Sequence, residues 1–570
     1  MNRKLRRQQA KMNKKAGGAD SQEVARLLEQ GFGQHQTGNL DEAEDLYHKI
    51  LELDPGHAEA NHLLGVIALD KADYPTACTL MEKAVLTNPK HFIAHNNLGN
   101  ARTALGDLGQ AGKCYRKALK FKPDYAMAHN NLGNVLKQTE DYVEAEKHYL
   151  RAVSLDGDYS EALSGLGAVQ LELGKVEEAE QNCLRALQIN PDFGEAHSNL
   201  GNVLAEKGAY TEAISHHRRA VDFSPGNAGV LNDLGNVLKD SQQFEEARDI
   251  YSQAIAIDPE DAKANYNLAM AHMTDGDLLE GFKGFEWRWK VAGMVENRDF
   301  PGEEWNGEPL DGRTILIHAE QGLGDSIQFC RYLPLLVASG AKVVFECQPA
   351  LVDLVSNMGE NITVFAHGET PPPYDLIHAP LLSLPRLLGT TLQTVPADHP
   401  YLQADATLSA GWEGRLSQYS GPKIGLIWRG GAAHLNDRNR SAPLALFDSC
   451  LNVPGVNFFS LQKDRPKEDN NLPERFIDLG KDFDSFSDTA AALKNLDLVI
   501  SVDTAVAHLA GAVGSPVWTL LAYPSDWRWL VEREDTPWYP TMRLMRKEAG
   551  QDWQALLERV ATDIKNMEWT

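Results

Sequence analysis

Glycine returns every 34 residues through the first half of the chain, at Gly31, Gly65, Gly99, Gly133, Gly167, Gly201 and Gly235. Alanine keeps the same interval at Ala43, Ala77, Ala111, Ala145, Ala179, Ala213 and Ala247. Proline does so at Pro55, Pro89, Pro123, Pro191, Pro225 and Pro259, with Gly157 in the missing place. A period this regular restricts the fold to a stack of like units, each burying its apolar face against its neighbours. Glycine and alanine let two antiparallel helices approach closely, because side-chain bulk sets the distance between packed helices. Proline ends the second helix before the next unit begins. Seven units are complete, and an eighth, about residues 262–295, is degraded, with Ala269 and Gly281 at its marker positions.

The pattern resembles the tetratricopeptide repeat, whose period is also 34 residues. That resemblance implies a superhelix with a concave binding face over residues 21–295, an interaction module for another protein. Around the recurrent glycine stand Asn97 and Asn100, Asn131 and Asn134, Asn199 and Asn202, and then Asp233 and Asn236. Members of each pair are three residues apart and share a helix face. A carboxamide donates and accepts at once, so such a ladder suits an extended peptide backbone whatever its side chains. These asparagines are the candidate acceptor-binding residues. A similar ladder marks the O-linked N-acetylglucosamine transferases, although here Gly165 interrupts it. A solvated polar face is the plainer alternative.

Charge and composition narrow the partners. The formal net charge is −25, so nucleic acid is not an expected partner. Residues 1–20 are the exception, with Arg3, Lys4, Arg6, Arg7, Lys11, Lys14 and Lys15, and read as a disordered basic arm. No apolar segment follows to make it a signal peptide, and no run approaches the ~20 residues of a membrane span. Six scattered cysteines without metal-ligand spacing suit reduced, buried thiols and a cytoplasmic protein.

All eleven tryptophans lie after residue 286, which marks a change of domain. Residues 285–290, Phe-Glu-Trp-Arg-Trp-Lys, are expected to close the repeat stack, and residues 296–312 to form a connector. Strands are then expected at 314–318, 342–347, 362–366 and 374–378, with a helix at 326–337. The pattern restarts at 423–428, 456–461, 475–479, 496–502 and 516–522, and a helix over 552–567 ends the chain. Two successive strand–helix runs predict two Rossmann-like domains, 313–415 and 416–570, facing one another across a cleft.

Four stretches carry chemistry. Residues 496–518 read strand, turn, helix, turn, strand, with Asp503, Thr504 and His508 at the helix mouth, where backbone N–H groups favour a phosphate. The loop after the first strand holds Gly322, Gly324 and Asp325 at a helix start. The loop after the strand at 423–428 carries Arg429, Arg438 and Arg440 among glycines, cations suited to a diphosphate. Gln462 and Lys463 end another strand and offer polar groups to a base or ribose. Trp527 is a candidate to stack on the donor, with interface packing the alternative. Asp482 and Asp484 form a literal D-x-D, a spacing that can hold a divalent metal.

Together, HAEQGLGDSIQF, GLIWRGG, NDRNRSAPLALF, NFFSLQK and VISVDTAVAHLAGAVGSPVW resemble the bacterial tetratricopeptide-repeat glycosyltransferases. Their catalytic half has the GT-B fold and is related to the lipopolysaccharide heptosyltransferases. The resemblance implies an α plus α/β chain: a repeat superhelix, then two Rossmann-like domains performing inverting, metal-independent transfer. It makes Asp325 the base. It makes Gly322, Gly324, Arg429, Arg438, Gln462, Lys463, Asp503, Thr504, Ala505, His508 and Trp527 the donor-binding set, with Ala505 in place of the usual glycine. A nucleotide-sugar is then co-substrate, with no cofactor and no metal. The acceptor implied is a protein hydroxyl on serine or threonine, flagellin being a candidate. Sugar transfer to lipopolysaccharide or another glycan is the second reading. A repeat scaffold that binds nucleotide-sugar without turnover is the third.

Overall fold

The computed structural model describes residues 18–569 other than 297, 321, 397, 432–435 and 471. The basic arm expected over 1–20 therefore lies outside the described residues up to 17; a helix begins at Gly18. The chain divides into two compact units, one ending at Ser224 and the other running from Pro225 to Thr570. Among the described residues no helix is long and apolar enough to cross a membrane.

The first unit is a run of paired helices of 13 and 14 residues, such as Ala58–Asp70 with Tyr74–Thr87, and Phe92–Ala104 with Leu108–Phe121. The period has a steric cause. A Cβ added to Gly31, Gly65, Gly99, Gly133, Gly167 or Gly201 would lie under 3.0 Å from Tyr47, Met81, Tyr115, Tyr149, Cys183 or His217, each sixteen residues on. Glycine on one helix thus receives a buried side chain from the next. The recurrent alanines of this unit, Ala43 to Ala213, have no exposed surface and fill the narrowest part of each pair.

The asparagine ladder forms, and it binds the repeats to one another. Asn131 Nδ2 donates to Asn96 Oδ1 at 3.2 Å and to Asn100 Oδ1 at 3.1 Å, one repeat back. Asn199 Nδ2 donates to Ser164 Oγ at 2.9 Å, and Asn97 lies 3.2 Å from His62 Nε2. Asn100 and Asn134 accept from the hydroxyls of Tyr115 and Tyr149. At Asn202 the corresponding tyrosine is replaced by His217. The asparagines are half-buried, so the face is accessible but already hydrogen-bonded. The expectation of a ladder held open for a peptide needs that correction.

The second unit joins the last repeats to two parallel sheets. Its repeat helices keep the same chemistry, with Tyr251 donating to Asn236 at 2.7 Å. The first sheet has β1 (Glu303–Glu304), β2 (Thr314–His318), β3 (Lys342–Cys347), β4 (Ile362–Ala366) and β5 (Ile377–Pro380), in the order β1-β5-β2-β3-β4. The second has β6 (Lys423–Ile427), β7 (Asn457–Ser460), β8 (Phe476–Asp478), β9 (Leu498–Val502), β10 (Val517–Leu521) and β11 (Met542–Arg546), in the order β11-β10-β9-β6-β7-β8. The strands β2, β9 and β10 are buried apolar runs, as parallel strands covered on both faces require.

Several expected boundaries move. The connector enters the first sheet as β1, with Glu303 and Glu304 paired to Ile377 and His378. The helix Ala406–Leu416, assigned above to the first domain, packs on the second: Trp412 Nε1 donates to Asp488 at 2.6 Å. The expected helix 326–337 starts earlier, at Leu323, and breaks into Leu323–Phe329, a 3-10 turn and Leu333–Ala338, because Pro334 cannot supply the N–H a continuous helix needs. β11 was not foreseen. Residues 285–289 form a 3-10 turn, and instead of merely closing the stack they anchor it to the first sheet. Arg288, 1% exposed, donates to both carboxylate oxygens of Glu320, at 2.7 and 2.8 Å, and to Ser383. Phe282 packs edge-on against Phe329 and Trp527. This is why the last repeats belong to the second unit.

Two measurements test these packings. Gly235→Ala would force a Cβ to within 2.5 Å of the buried Tyr251 ring, while Gly226 has open space. Overpacking of this kind costs about 1–3 kcal/mol, so Gly235→Ala should lower the melting temperature and Gly226→Ala should leave it almost unchanged. The second measurement is pH. Burial, helped by His216, pushes His217 down to about 4 from its ordinary 6.5. Between those values the unfolded chain holds a proton that the folded one refuses, so stability rises with pH across that window. Denaturant titrations should show a contribution of up to about 1.4 kcal/mol per pH unit from this group, removed in His217→Phe.

Candidate active site

The second sheet's order places a topological switch between β6 and β9, the point outside the carboxyl ends where open parallel sheets bind ligands. A cavity of about 480 Å³ lies there. Arg429–Gly431 reach it from the end of β6, Leu461–Asp464 from β7, and Thr504–Val506 from β9. Thr504 stands at the N-cap of the helix Ala505–Ala512 without capping it through its side chain. Its hydroxyl instead meets Ser501 Oγ at 3.0 Å. The N–H groups of the first turn, which have no intrahelical partner, therefore start at the cavity wall. Arg429, Gln462, Lys463, Thr504 and Ala505 are brought together as expected. Gln462 is more constrained than the sequence suggested: its amide accepts from Arg429 N–H at 3.2 Å and donates to Asp464 O at 3.1 Å. It positions the loop while lining the cavity.

Arg438 is a correction. It is exposed on the short helix Asp437–Arg440 and does not line the cavity. Arg440 lies inward instead. Its guanidinium and Asp437 fill the space beside Gly430 where a side chain would otherwise stand, and Ser441 ties Asp437 to the Gly430 N–H. Of the D-x-D residues, Asp482 is held by Arg415 at 2.6 Å, Phe483 is buried, and Asp484 lines the cavity. The helix that follows is capped by Ser485, and the Asp488 carboxylate accepts from the Asp484 N–H.

The two sheets meet beside this cavity. A Cβ on Gly324 would lie 3.1 Å from His508 Cδ2 and 3.6 Å from Ala505 Cα. Gly324 is thus needed for the helix Leu323–Phe329 to touch the helix Ala505–Ala512, rather than for approach to a phosphate. Gly322 makes room for its own neighbour, since a Cβ there would lie 2.8 Å from Asp325 Oδ2. Asp325 is held across the domain boundary: Arg528 Nη2 donates to its Oδ1 at 2.5 Å, while Nε reaches Gln328 at 2.7 Å and Nη1 reaches Asp526 at 3.0 Å. Burial alone would lower the Arg528 pKa, but Asp526 and Asp325 outweigh it and raise it. Arg528 was not among the residues singled out in the sequence, although Trp527 beside it was. A lone arginine between two aromatics after a strand was the available signal.

Asp503, His508 and Trp527 take other roles than direct donor contact. Asp503 accepts from Trp529 Nε1 at 2.9 Å, and burial raises its pKa, aided by Asp526 and opposed by that bond and by Arg528. His508 is buried, stacks on Trp529 and bonds Tyr539 at 2.8 Å. Burial first, then the fields of Arg528, Arg331 and Arg440, keep it neutral. A neutral imidazole packed among aromatics is not a cation for a diphosphate. Trp527 is buried against Phe282, Trp538 and the Arg528 guanidinium, so it packs the interface.

Comparisons with known proteins agree with both halves of this architecture. Models of the tetratricopeptide repeat match residues 35–85, 124–192 and 165–228, and a model described as TPR repeat matches 99–140 and 235–276. The model of glycosyltransferase family 9 (heptosyltransferase) matches residues 484–550, the stretch holding Asp484, Asp503–His508 and Arg528. Protein FlbA of Caulobacter vibrioides is 30% identical over 322 residues, covering 51% of this chain and 53% of its own. The chain thus spans about half the length of that curated relative. Among solved structures, YrrB, described as a TPR protein with an unusual peptide-binding site, is 27% identical over 32% of this chain and 95% of its own, with a TM-score of 0.26. PilF of Pseudomonas aeruginosa is 22% identical over 36% and 94%, with a TM-score of 0.32.

The cavity makes a direct prediction about binding. Losing a charge-assisted bond costs about 1.5–3 kcal/mol, so Arg429→Ala should weaken binding of the cognate nucleoside diphosphate by about 10- to 100-fold. Arg438→Ala, outside the cavity, should change it little; calorimetry on both variants decides. The chain thus joins tetratricopeptide repeats to a stretch, residues 484–550, that matches the model of glycosyltransferase family 9 (heptosyltransferase).

Proposed function

We propose that this protein transfers a sugar from a nucleotide-sugar donor to serine or threonine hydroxyls of a protein acceptor, recruited by the repeats in the bacterial cytoplasm. The observation that carries this reading is the juxtaposition of two elements. One is the cavity at the β6/β9 switch point, lined by Arg429, Lys463 and the start of the helix Ala505–Ala512. The other is Asp325, one residue beyond the Gly324 that touches that same helix start. The diphosphate of the donor lies against the helix N–H groups and the cations, with the sugar directed toward Asp325.

Chemistry then proceeds as a single displacement. The acceptor oxygen attacks the anomeric carbon while its proton passes to the Asp325 carboxylate. The bond from the anomeric carbon to the diphosphate oxygen breaks, and configuration inverts. The leaving nucleoside diphosphate keeps the electron pair, and Arg429, Lys463 and the helix N–H groups stabilise its charge in the role a divalent ion has elsewhere. Arg528 acts as a positioning residue, fixing the direction of the Asp325 carboxylate from the opposite domain. The half-buried asparagine face, at Asn97, Asn131 and Asn199, supports recruitment of an extended segment, with flagellin the candidate suggested by the sequence resemblance.

Asp325→Asn preserves the shape of the side chain and removes its proton acceptor. Transfer measured by mass spectrometry of co-purified acceptor should fall by about 10²- to 10⁴-fold, with nucleotide binding within a few-fold of the unaltered protein. The unaltered protein should keep its rate in excess EDTA. Full activity in Asp325→Asn would remove this residue from the mechanism, and activity lost in EDTA and restored by manganese would instead implicate Asp484.

A further inference from the structure

The first sheet has a switch point of its own, between β2 and β5, and a second cavity of about 360 Å³ opens there. Two imidazoles form its sheet side: His318 ends β2, and His378 belongs to β5. His318 is 5% exposed, and its Nδ1 is sealed without a partner, as is that of His378. Both rings line the cavity. Trp289, from the end of the repeats, forms an aromatic wall.

Charge bookkeeping distinguishes this cavity from the donor site. Glu320 and Glu286 line it but are already paired with Arg288. Arg298, also in the lining, is committed to Glu346 at 2.7 Å and to the Ala319 carbonyl. Glu296 and Glu304 remain, both exposed at the rim and without an ion pair among the described residues. Burial first, then Arg298, His378 and Arg288, push His318 down to about 3, and burial lowers His378, against the pull of Glu304. Both imidazoles stay neutral at physiological pH and repel no cation. The result is a pocket with two carboxylates outside any ion pair among the described residues, two neutral imidazoles and an aromatic face.

We propose that this cavity is a subsite for a cationic side chain, lysine or arginine, of the acceptor polypeptide. An ammonium or guanidinium would give its N–H groups to Glu304, Glu296 and the imidazoles, with Trp289 against its stem. His318 of this cavity ends β2, and Asp325 stands in the first turn of the helix Leu323–Phe329 that follows in the chain. The same charge disfavours the phosphorylated sugars of a glycolipid acceptor. The assignment of the occupant as acceptor rests on the glycosyl-transfer reading; the cation preference does not.

The test therefore uses no donor and no turnover. Full-length protein is titrated with the N-acetyl, N-methylamide derivatives of lysine, arginine and norleucine, and with free N-acetylglucosamine, followed by saturation-transfer NMR. Lysine or arginine should bind saturably and norleucine should not. The double variant E296Q/E304Q, checked for an unchanged melting temperature, should bind the cation about tenfold more weakly, the loss expected for charge-assisted contacts. Equal binding of lysine and norleucine, unchanged affinity in the folded double variant, or binding of the sugar in place of the cations would each overturn the proposal. Should the double variant fail to fold, the lysine–norleucine comparison on the unaltered protein still decides. Cation binding by a protein that never transfers sugar would leave the pocket standing and reject the transfer reading alone.

Discussion

Gly324 sets the distance between the two parallel sheets. With no side chain there, the helix after β2 comes into van der Waals contact with the helix after β9, at Ala505 and His508. Most of the remaining site geometry follows from that contact. Asp325 is carried to within reach of Arg528 from the other domain, and Arg528 in turn is flanked by Asp526 and Gln328. His508 is enclosed by Trp529 and Tyr539 and stays neutral. A charged imidazole at this contact would have to be desolvated beside Arg528 and Arg331, an arrangement that low-dielectric surroundings penalise heavily.

The second fixed point is Arg288. Its guanidinium is buried and saturated by Glu320, Glu286, Ser383 and the Phe285 carbonyl. Such a pair adds little net stability compared with apolar packing, but removing one partner strands a buried charge, at a cost of about 3–5 kcal/mol. Its effect is to specify one docking geometry between the last repeats and the first sheet. Glu320, two residues beyond β2, thus ties Arg288 of the last repeats to the first sheet.

The two sheets then carry different charged groups at equivalent places. Each has a cavity at its own switch point. The one in the second sheet carries Arg429, Lys463 and a helix start beside Asp353, Asp464 and Asp484; the one in the first carries Glu296 and Glu304, with its Arg298 engaged by Glu346. The chain has an acidic excess, 80 Asp and Glu against 55 Lys and Arg, and Arg429 and Lys463 come together from two loops. The acidic residues need a stricter argument, because most simply solvate the surface. It was the pairing of Glu320 and Glu286 with Arg288 that separated the engaged carboxylates from the remaining two.

Much of the architecture was legible from local pattern. The 34-residue period specified the helix pairs, because a glycine facing a large residue sixteen positions on is a local steric requirement. Short β-branched runs located nine of the eleven strands, since burial on both faces leaves a continuous apolar signature. The helix Ala505–Ala512 and the loops bearing Arg429 and Asp325 were likewise read from the turn residues that bound them. What the tertiary structure alone decided was which groups face one another. Arg528 and Asp325 are 203 residues apart, and Arg288 and Glu320 belong to different architectures, so no spacing in the chain reports their pairing. The two-residue strand β1 and the loss of Trp527 and His508 to packing have the same origin. Local sequence determines which conformations and charges a segment brings, whereas burial and pairing are properties of the space between segments, which exists only once the chain has folded.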